Sequence, residues 1–251
     1  MQALIAPYAC QRGVVLPLLD AATGQPGHVL LKGDRLPGAG WQYLDPDGRP
    51  ILAACGWAWS GQGRGFQLLR SLVGLSGAGP VSCGLRKRGY AICVVTLSDK
   101  GSRGERADTA GPAVAAMLSD NLPVACVDSY ILPDEAAELK SLLASLAFTQ
   151  RHDLICACGG TGVSPRDITP QATAAILDYE LPGFGEAMRM ASLAKTPNAI
   201  VSRAICGVAR QSLIINLPGS LKGATENLAA VLPALAHTLA KLGGDSADCG
   251  G

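Results

Sequence analysis

At roughly 150 residues per domain, a chain of 251 residues holds between one and two domains, and its 48% hydrophobic against 16% charged residues exclude wholesale disorder. Lys and Arg number 21 and Asp and Glu 20, so the net charge of +1 supplies no field for holding polyanions, and nucleic acid is not the default partner. The longest charge-free stretch, Ser71–Leu85, contains Gly and Pro and falls short of the roughly 18–20 apolar residues of a membrane span, and Met1–Pro7 opens without a basic segment, so no membrane and a cytoplasmic location are expected.

Residues 1–85 hold 15 of the 31 glycines, all three tryptophans (Trp41, Trp57, Trp59), four aspartates and no glutamate. Short apolar pieces at Gly13–Leu19 and His28–Lys32, separated by turn signals at Asp45–Gly48 and Gly61–Gly65, suggest a few short strands or irregular coil, a small β-rich region being the preferred reading, without evident chemistry. The Trp-rich stretch Gly56–Gly63 reads as aromatics packed in a small core rather than as a binding surface. Ser76–Gly89, rich in Gly, Ser and Pro and ending in Arg86-Lys87-Arg88, reads as a linker with a solvated charge cluster. The composition changes near residue 85, which divides the chain into a small region over 1–85 and a second domain over 86–251.

From Tyr90 onward, apolar runs alternate with amphipathic stretches, the pattern of an α/β domain whose helices cross between parallel strands. Strands are expected at Tyr90–Leu97, Val124–Ile131, Asp153–Cys158 and Ser212–Leu217. Helices are expected at Gly111–Leu118, Glu135–Phe148, Pro170–Asp178, Phe184–Ala194 and about Gly223–Leu242. Thr169-Pro170 has the form of an N-cap followed by N1, and Pro233 should kink or break the last helix. Nine cysteines are an odd number at irregular spacing, which favours thiols over a disulfide framework. Cys156 and Cys158 would share one strand face, as a soft-metal pair does, but with no second pair or His cluster nearby the preferred reading is buried small hydrophobes.

Each expected strand runs at its carboxyl end into a polar or glycine-rich segment: Thr96-Leu97-Ser98-Asp99, Leu132-Pro133-Asp134-Glu135, Gly159-Gly160-Thr161-Gly162 with Arg166-Asp167, and Asn216-Leu217-Pro218-Gly219. In a parallel sheet these ends share the edge where open α/β folds bind ligands. Glycines at 159, 160 and 162 suit either a plain tight turn or an anion cradle of backbone N–H groups. The segment is not a Walker A loop, and Pro165 stands where a dinucleotide fingerprint needs its third glycine, which makes a nicotinamide-dependent oxidoreductase remote. Asp134 and Asp167 each suit a helix cap. Together, at a cleft that also binds phosphate, they would repel the ligand unless a divalent cation lay between them, which points to Mg²⁺ and a nucleoside triphosphate. Arg166 reads equally as a phosphate contact and as a surface ion-pair partner.

These motifs, with Arg103-Gly104-Glu105, Pro165-Arg166-Asp167-Ile168-Thr169-Pro170, Pro182-Gly183 and Ser202-Arg203, make residues 90–243 resemble the molybdopterin adenylyltransferases of molybdenum-cofactor biosynthesis, the MogA/MoaB family. The resemblance implies a three-layer, mostly parallel sheet flanked by helices. It implies transfer of AMP from ATP to the terminal phosphate of molybdopterin with release of pyrophosphate, Mg²⁺ being required. By position, Asp134 and Asp167 match the family's two critical aspartates, and Ser202 matches a pterin-site residue. Gly160, Thr161 and Gly162, beside Gly159, match the ligand-binding loop, and Ser98, Asp99, Asn216, Pro218 and Gly219 match further cleft residues. A homotrimer and a molybdenum insertase as downstream partner are also implied; a non-catalytic molybdopterin-binding or scaffold role is the alternative. The segment Asp108-Thr109-Ala110-Gly111 departs from the family in having Ala where many members have Ser, and residues 1–85 lie outside the resemblance.

Overall fold

The computed structural model describes residues 2–5, 11–13, 15–20, 29–31, 38–59, 65–75 and 81–245. The chain divides into two compact units, Met1–Gly89 and Tyr90–Gly251. The first is a seven-stranded sheet of β1 (Gln2–Ile5), β2 (Val15–Asp20), β3 (Val29–Leu31), β4 (Trp41–Leu44), β5 (Pro50–Trp59), β6 (Gly65–Ser71) and β7 (Val81–Lys87) in the order β1-β7-β4-β5-β6-β2-β3. Its core is Leu16, Tyr43, Ile51, Leu52, Ala54, Leu69 and Cys83. Burial pushes the Cys83 thiol up to about 11, and Asp45 adds to the shift.

Two readings of this region need correction. The stretch 81–87 is an inner strand, not a linker: β7 pairs with both β1 and β4, because Cys83 and Leu85 alternate toward the core and supply a strand period that the nearby Gly and Pro mask. Ser76–Pro80 lie outside the described residues. Among the described residues of this unit the fully buried aromatic is Tyr43, whereas Trp41 and Trp57 are half-buried. The side chain of Trp59 and residues 60–64, with most of the Gly61–Gly65 turn, lie outside the described residues. The Asp45–Gly48 turn is present: the Gly48 N–H donates to the Asp45 carbonyl at 2.9 Å, with Gly48 at φ +79°.

The second unit is a six-stranded sheet between two helical layers. Its strands are β8 (Tyr90–Leu97), β9 (Val124–Leu132), β10 (Leu154–Cys158), β11 (Tyr179–Glu180), β12 (Cys206–Ala209) and β13 (Ser212–Leu217), in the order β11-β12-β13-β10-β8-β9. The four strands β13, β10, β8 and β9 run parallel, while β12 and β11 add an antiparallel edge. The helices are α1 (Asp99–Ser102), α2 (Ala110–Asn121), α3 (Ala136–Ala144), α4 (Thr169–Ala174), α5 (Pro182–Leu193) and α6 (Leu221–Leu242). A π-helical turn, Ser145–Gln150, continues α3 and a 3₁₀ turn, Pro197–Val201, follows α5.

Alternate residues of the central strands face opposite layers. Ile92, Val94, Cys156, Cys158 and Ile215 pack with Val114 and Leu118 of α2 and the inner face of α6, whereas Cys93, Val95, Ile155, Ala157 and Ile214 pack with Leu139 and Leu143 of α3. Cys156 and Cys158 are thus fully buried among apolar side chains; burial raises the Cys156 thiol to about 12 and the Cys158 thiol well above its ordinary value. Among the described residues no group of three or more His, Cys, Asp or Glu side chains is placed to hold a metal ion, nor is any helix long and apolar enough to cross a membrane.

Helix α6 continues through Pro233 without a break, one of the two expected outcomes. Its buried residues Ala224, Leu228, Val231, Leu235 and Leu239 keep one face on the core while Pro233 lies on the exposed side. The packing outweighs the lost backbone hydrogen bond. Thr169 does not cap α4: its hydroxyl donates instead to the Gly159 carbonyl at 2.7 Å, and the helix has no side-chain cap.

Candidate active site

The carboxyl ends of β8, β9, β10 and β13 lie side by side, and the four polar segments that follow them do converge. They line a cavity of about 360 Å³ whose wall includes Ser98, Asp134, Gly159, Gly160, Asp167 and Gly219. The ladders extend into these loops, for the Ser98 N–H donates to the Leu132 carbonyl at 2.8 Å and the Gly159 N–H to the Leu217 carbonyl at 2.9 Å. Thr161, Gly162, Ser202 and Pro218 line a second cavity, also about 360 Å³, and Ser220 lines both. The site is therefore two hollows flanking the glycine loop.

The glycine loop is held by its carbonyls. Those of Gly159 and Gly160 accept from the Thr169 hydroxyl and the Thr169 N–H. That of Thr161 accepts from the Arg203 N–H at 2.9 Å, and that of Gly162 from Arg203 Nε. With four consecutive carbonyls tied down, the N–H groups of Gly160, Thr161 and Gly162 have no partner among the described residues, as an anion cradle requires. Two glycines are demanded by geometry. Gly159 has φ +115°, and a Cβ there would stand 2.6 Å from the Leu97 carbonyl oxygen; Gly160 has φ +60°, and its Cβ would stand 2.6 Å from the Thr169 hydroxyl.

The two hollows differ in charge. Asp108, Asp134 and Asp167 face the first, with Arg106 as its lining cation. Asp134 Oδ2 accepts from the Asp99 N–H at 3.2 Å, while Asp167 Oδ2 accepts from the Ser164 N–H at 2.8 Å. Burial raises the Asp134 carboxyl above its ordinary value, and the charges of Asp99 and Asp167 push the same way. Oxygen donors on an under-compensated acidic wall suit a hard divalent cation such as Mg²⁺. The second hollow is lined by Arg189, Lys195 and Lys222, with Glu226 paired to Lys195 at 2.9 Å.

Two expected ligand residues sit elsewhere. Asn216 is fully buried and lines neither cavity; its amide donates to the Thr173 hydroxyl at 2.9 Å and so braces α4 against β13. The strand period turns it inward, away from the loop that follows. Asp99 lines neither cavity: both of its oxygens accept from Arg166 Nη2 at 2.7 Å, and Arg166 Nη1 donates to Glu135 at 2.8 Å. Arg166 lowers the Asp99 carboxyl below its ordinary range. Ser98 faces the first cavity and also caps α1, accepting from the Gly101 N–H at 3.0 Å.

Sequence reasoning missed Arg203, Asp108 and the cations of the second hollow. Arg203 belongs to a motif in which only its neighbour Ser202 draws a role. Asp108 accepts from the Thr96 hydroxyl at 2.7 Å and the Gly111 N–H at 3.0 Å, tying β8 to the start of α2. The motif Asp-Thr-Ala-Gly ahead of a helix is a capping signal that could have found it.

A family described as "probable molybdopterin binding domain" matches residues 93–237. The chain belongs to that family. Within it, the molybdopterin adenylyltransferase of Helicobacter pylori (strain J99) is 42% identical over 147 residues, 58% of this chain and 84% of that protein. The molybdopterin adenylyltransferase of Escherichia coli K12 is 40% identical over 141 residues, 56% of this chain and 72% of its own length. Among solved structures, the molybdopterin biosynthesis enzyme MoaB of Thermus thermophilus is 46% identical with a TM-score of 0.58, over 62% of this chain and 98% of that one. The family match, residues 93–237, lies wholly within the second unit and begins three residues after it does.

Proposed function

We propose that this chain is a molybdopterin adenylyltransferase, transferring AMP from ATP to the terminal phosphate of molybdopterin. The observation that carries the reading is the pairing of two carboxylates, Asp134 and Asp167, with the unpartnered N–H groups beside them on the glycine loop, at the ends of parallel strands. The relatives named for this activity are 42% and 40% identical over 147 and 141 residues of this chain.

A phosphate oxygen of molybdopterin forms a bond to the α-phosphorus of ATP, the bond from that phosphorus to the bridging oxygen breaks, and pyrophosphate leaves with the electron pair. The attacking phosphate is already ionised at neutral pH, so no general base is needed; the protein's task is to bring two polyanions into line. Asp134 and Asp167 would hold Mg²⁺, which supplies neutralisation of the triphosphate charge. The N–H groups of Gly160, Thr161 and Gly162 stabilise phosphate oxygens between the hollows. Ser202 and the cations Arg189, Lys195 and Lys222 bind and orient the anionic pterin in the second hollow, while Ser98, Pro218 and Gly219 shape the walls. A homotrimer, a cytoplasmic location and hand-over of adenylylated pterin to a molybdenum insertase complete the proposal; light scattering tests the subunit count.

The deciding experiment mixes the full chain with molybdopterin, ATP and Mg²⁺ and looks for adenylylated pterin by mass. Asp167→Asn should lower turnover by at least about 100-fold, the loss expected when a major electrostatic contact to the transferring group is removed. Its melting temperature should stay near that of the wild type. Pterin binding without ATP turnover in the wild-type protein would assign a binding or scaffold role instead.

A further inference from the structure

Asp99 and Asp134 hold each other through a reciprocal pair of hydrogen bonds. The Asp99 N–H donates to Asp134 Oδ2 at 3.2 Å and the Asp134 N–H donates to Asp99 Oδ1 at 3.1 Å. Asp134 Oδ1 has no partner among the described residues, which leaves it available to a ligand. Asp99 has no such freedom, because Arg166 Nη2 occupies both of its oxygens. The second prong of the same guanidinium reaches Glu135, beside Asp134 in the chain, while Asp167 follows Arg166 directly.

One arginine thus joins the three loops after β8, β9 and β10. Its side chain is 53% exposed, and exposed ion pairs add little to stability. The arrangement fixes geometry instead, since a planar fork gripping two carboxylates on separate loops sets their spacing as a flexible ammonium does not.

We propose that Arg166, acting through Asp99 and Glu135, is the positioning residue that sets the separation of Asp134 and Asp167, and that Asp99 serves this linkage rather than touching a ligand. The inference rests on the reading of Asp134 and Asp167 as a metal-binding pair, and it goes beyond that reading by assigning the second layer that spaces them.

The test uses the full chain with Arg166→Gln, Arg166→Lys, Asp99→Asn and the double variant Asp99→Asn/Arg166→Gln, each first shown to melt as the wild type does. Mn²⁺ binding is followed by electron paramagnetic resonance in the absence of substrates, and kcat and the KM for ATP are measured separately. Arg166→Gln should weaken Mn²⁺ binding about tenfold, as loss of an outer-shell partner does. It should lower kcat by about 10- to 100-fold with KM for ATP within about twofold of the wild type. Arg166→Lys should recover little of either, and the double variant should lose no more than the worse single one.

A raised KM for ATP with unchanged kcat and Mn²⁺ affinity would make Arg166 a phosphate contact and overturn the proposal. Multiplicative losses in the double variant, full rescue by Lys, or a wild type that binds no Mn²⁺ would overturn it too. A wild type that binds Mn²⁺ but transfers no adenylyl group would sink the enzymatic reading alone, and the Mn²⁺ affinities would still decide the role of Arg166.

Discussion

Asp134 stands in a wall where burial, first, and then the neighbouring charges of Asp99 and Asp167 disfavour its ionised form. Its folded-state pKa therefore lies above the ordinary 3.8, so the native protein binds this proton more tightly than the unfolded chain. The sign follows: the favourable contribution is complete below pH 3.8 and is lost as the pH rises through the raised value, leaving an unfavourable carboxylate at neutral pH. Asp134→Asn keeps an oxygen acceptor for the Asp99 N–H and removes the charge. Its melting temperature without metal should exceed that of the wild type at about pH 7, with the difference vanishing near pH 3.5 or below. Mg²⁺ should reverse the order, since a ligand at 100 times its Kd stabilises by about 2.7 kcal/mol and the variant has lost half of the binding pair. Calorimetric scans across pH, with and without Mg²⁺, check both limbs.

The elements that carry the site were legible because their signals are local. The strands at Tyr90–Leu97 and Ser212–Leu217 appear within the bounds their apolar runs set, and the glycine and aspartate segments follow their ends. What escaped depends on contacts far apart in sequence. The short strands β11 and β12 have two and four residues and exist through pairing with each other and with β13. Arg203 matters because it reaches Gly162 and Asp167, which lie 41 and 36 positions away. No spacing rule announces that. Pro233 marks the opposite case: its local effect is real, but α6 follows the tertiary packing of its buried face. A proline inside a helix opposes the carbonyl four residues earlier and lacks a donor, here on an exposed face. Proline in a helix interior is about 3 kcal/mol less favourable than alanine, and about 0.4–1 kcal/mol returns through the stiffer unfolded chain. Pro233→Ala should therefore stabilise the protein by about 2 kcal/mol, or about 4–8 °C in melting temperature for a unit of this size. Thermal unfolding followed by circular dichroism at about 222 nm, where helix dominates the signal, measures it.

At the scale of the whole molecule, each unit has a core of its own. Leu16, Tyr43, Leu52, Leu69 and Cys83 enclose one, while the second unit buries two apolar layers on either side of its sheet. The cavities described above draw all their lining residues from the second unit. The Thermus thermophilus enzyme is matched over 98% of its length by 62% of this chain, and the family match at residues 93–237 lies wholly in the second unit. Independent cores predict independent cooperativity. A fragment over residues 90–245 should fold on its own and show one thermal transition, at the temperature of one of the two transitions expected of the full chain. It should retain adenylyl transfer to within about threefold, a change of less than about 1 kcal/mol in the barrier. Calorimetry reads the transitions, and the adenylyl-transfer assay reads the activity. A fragment that is cooperatively folded yet inactive would give the N-terminal unit a part in the reaction that no residue lining these cavities supplies.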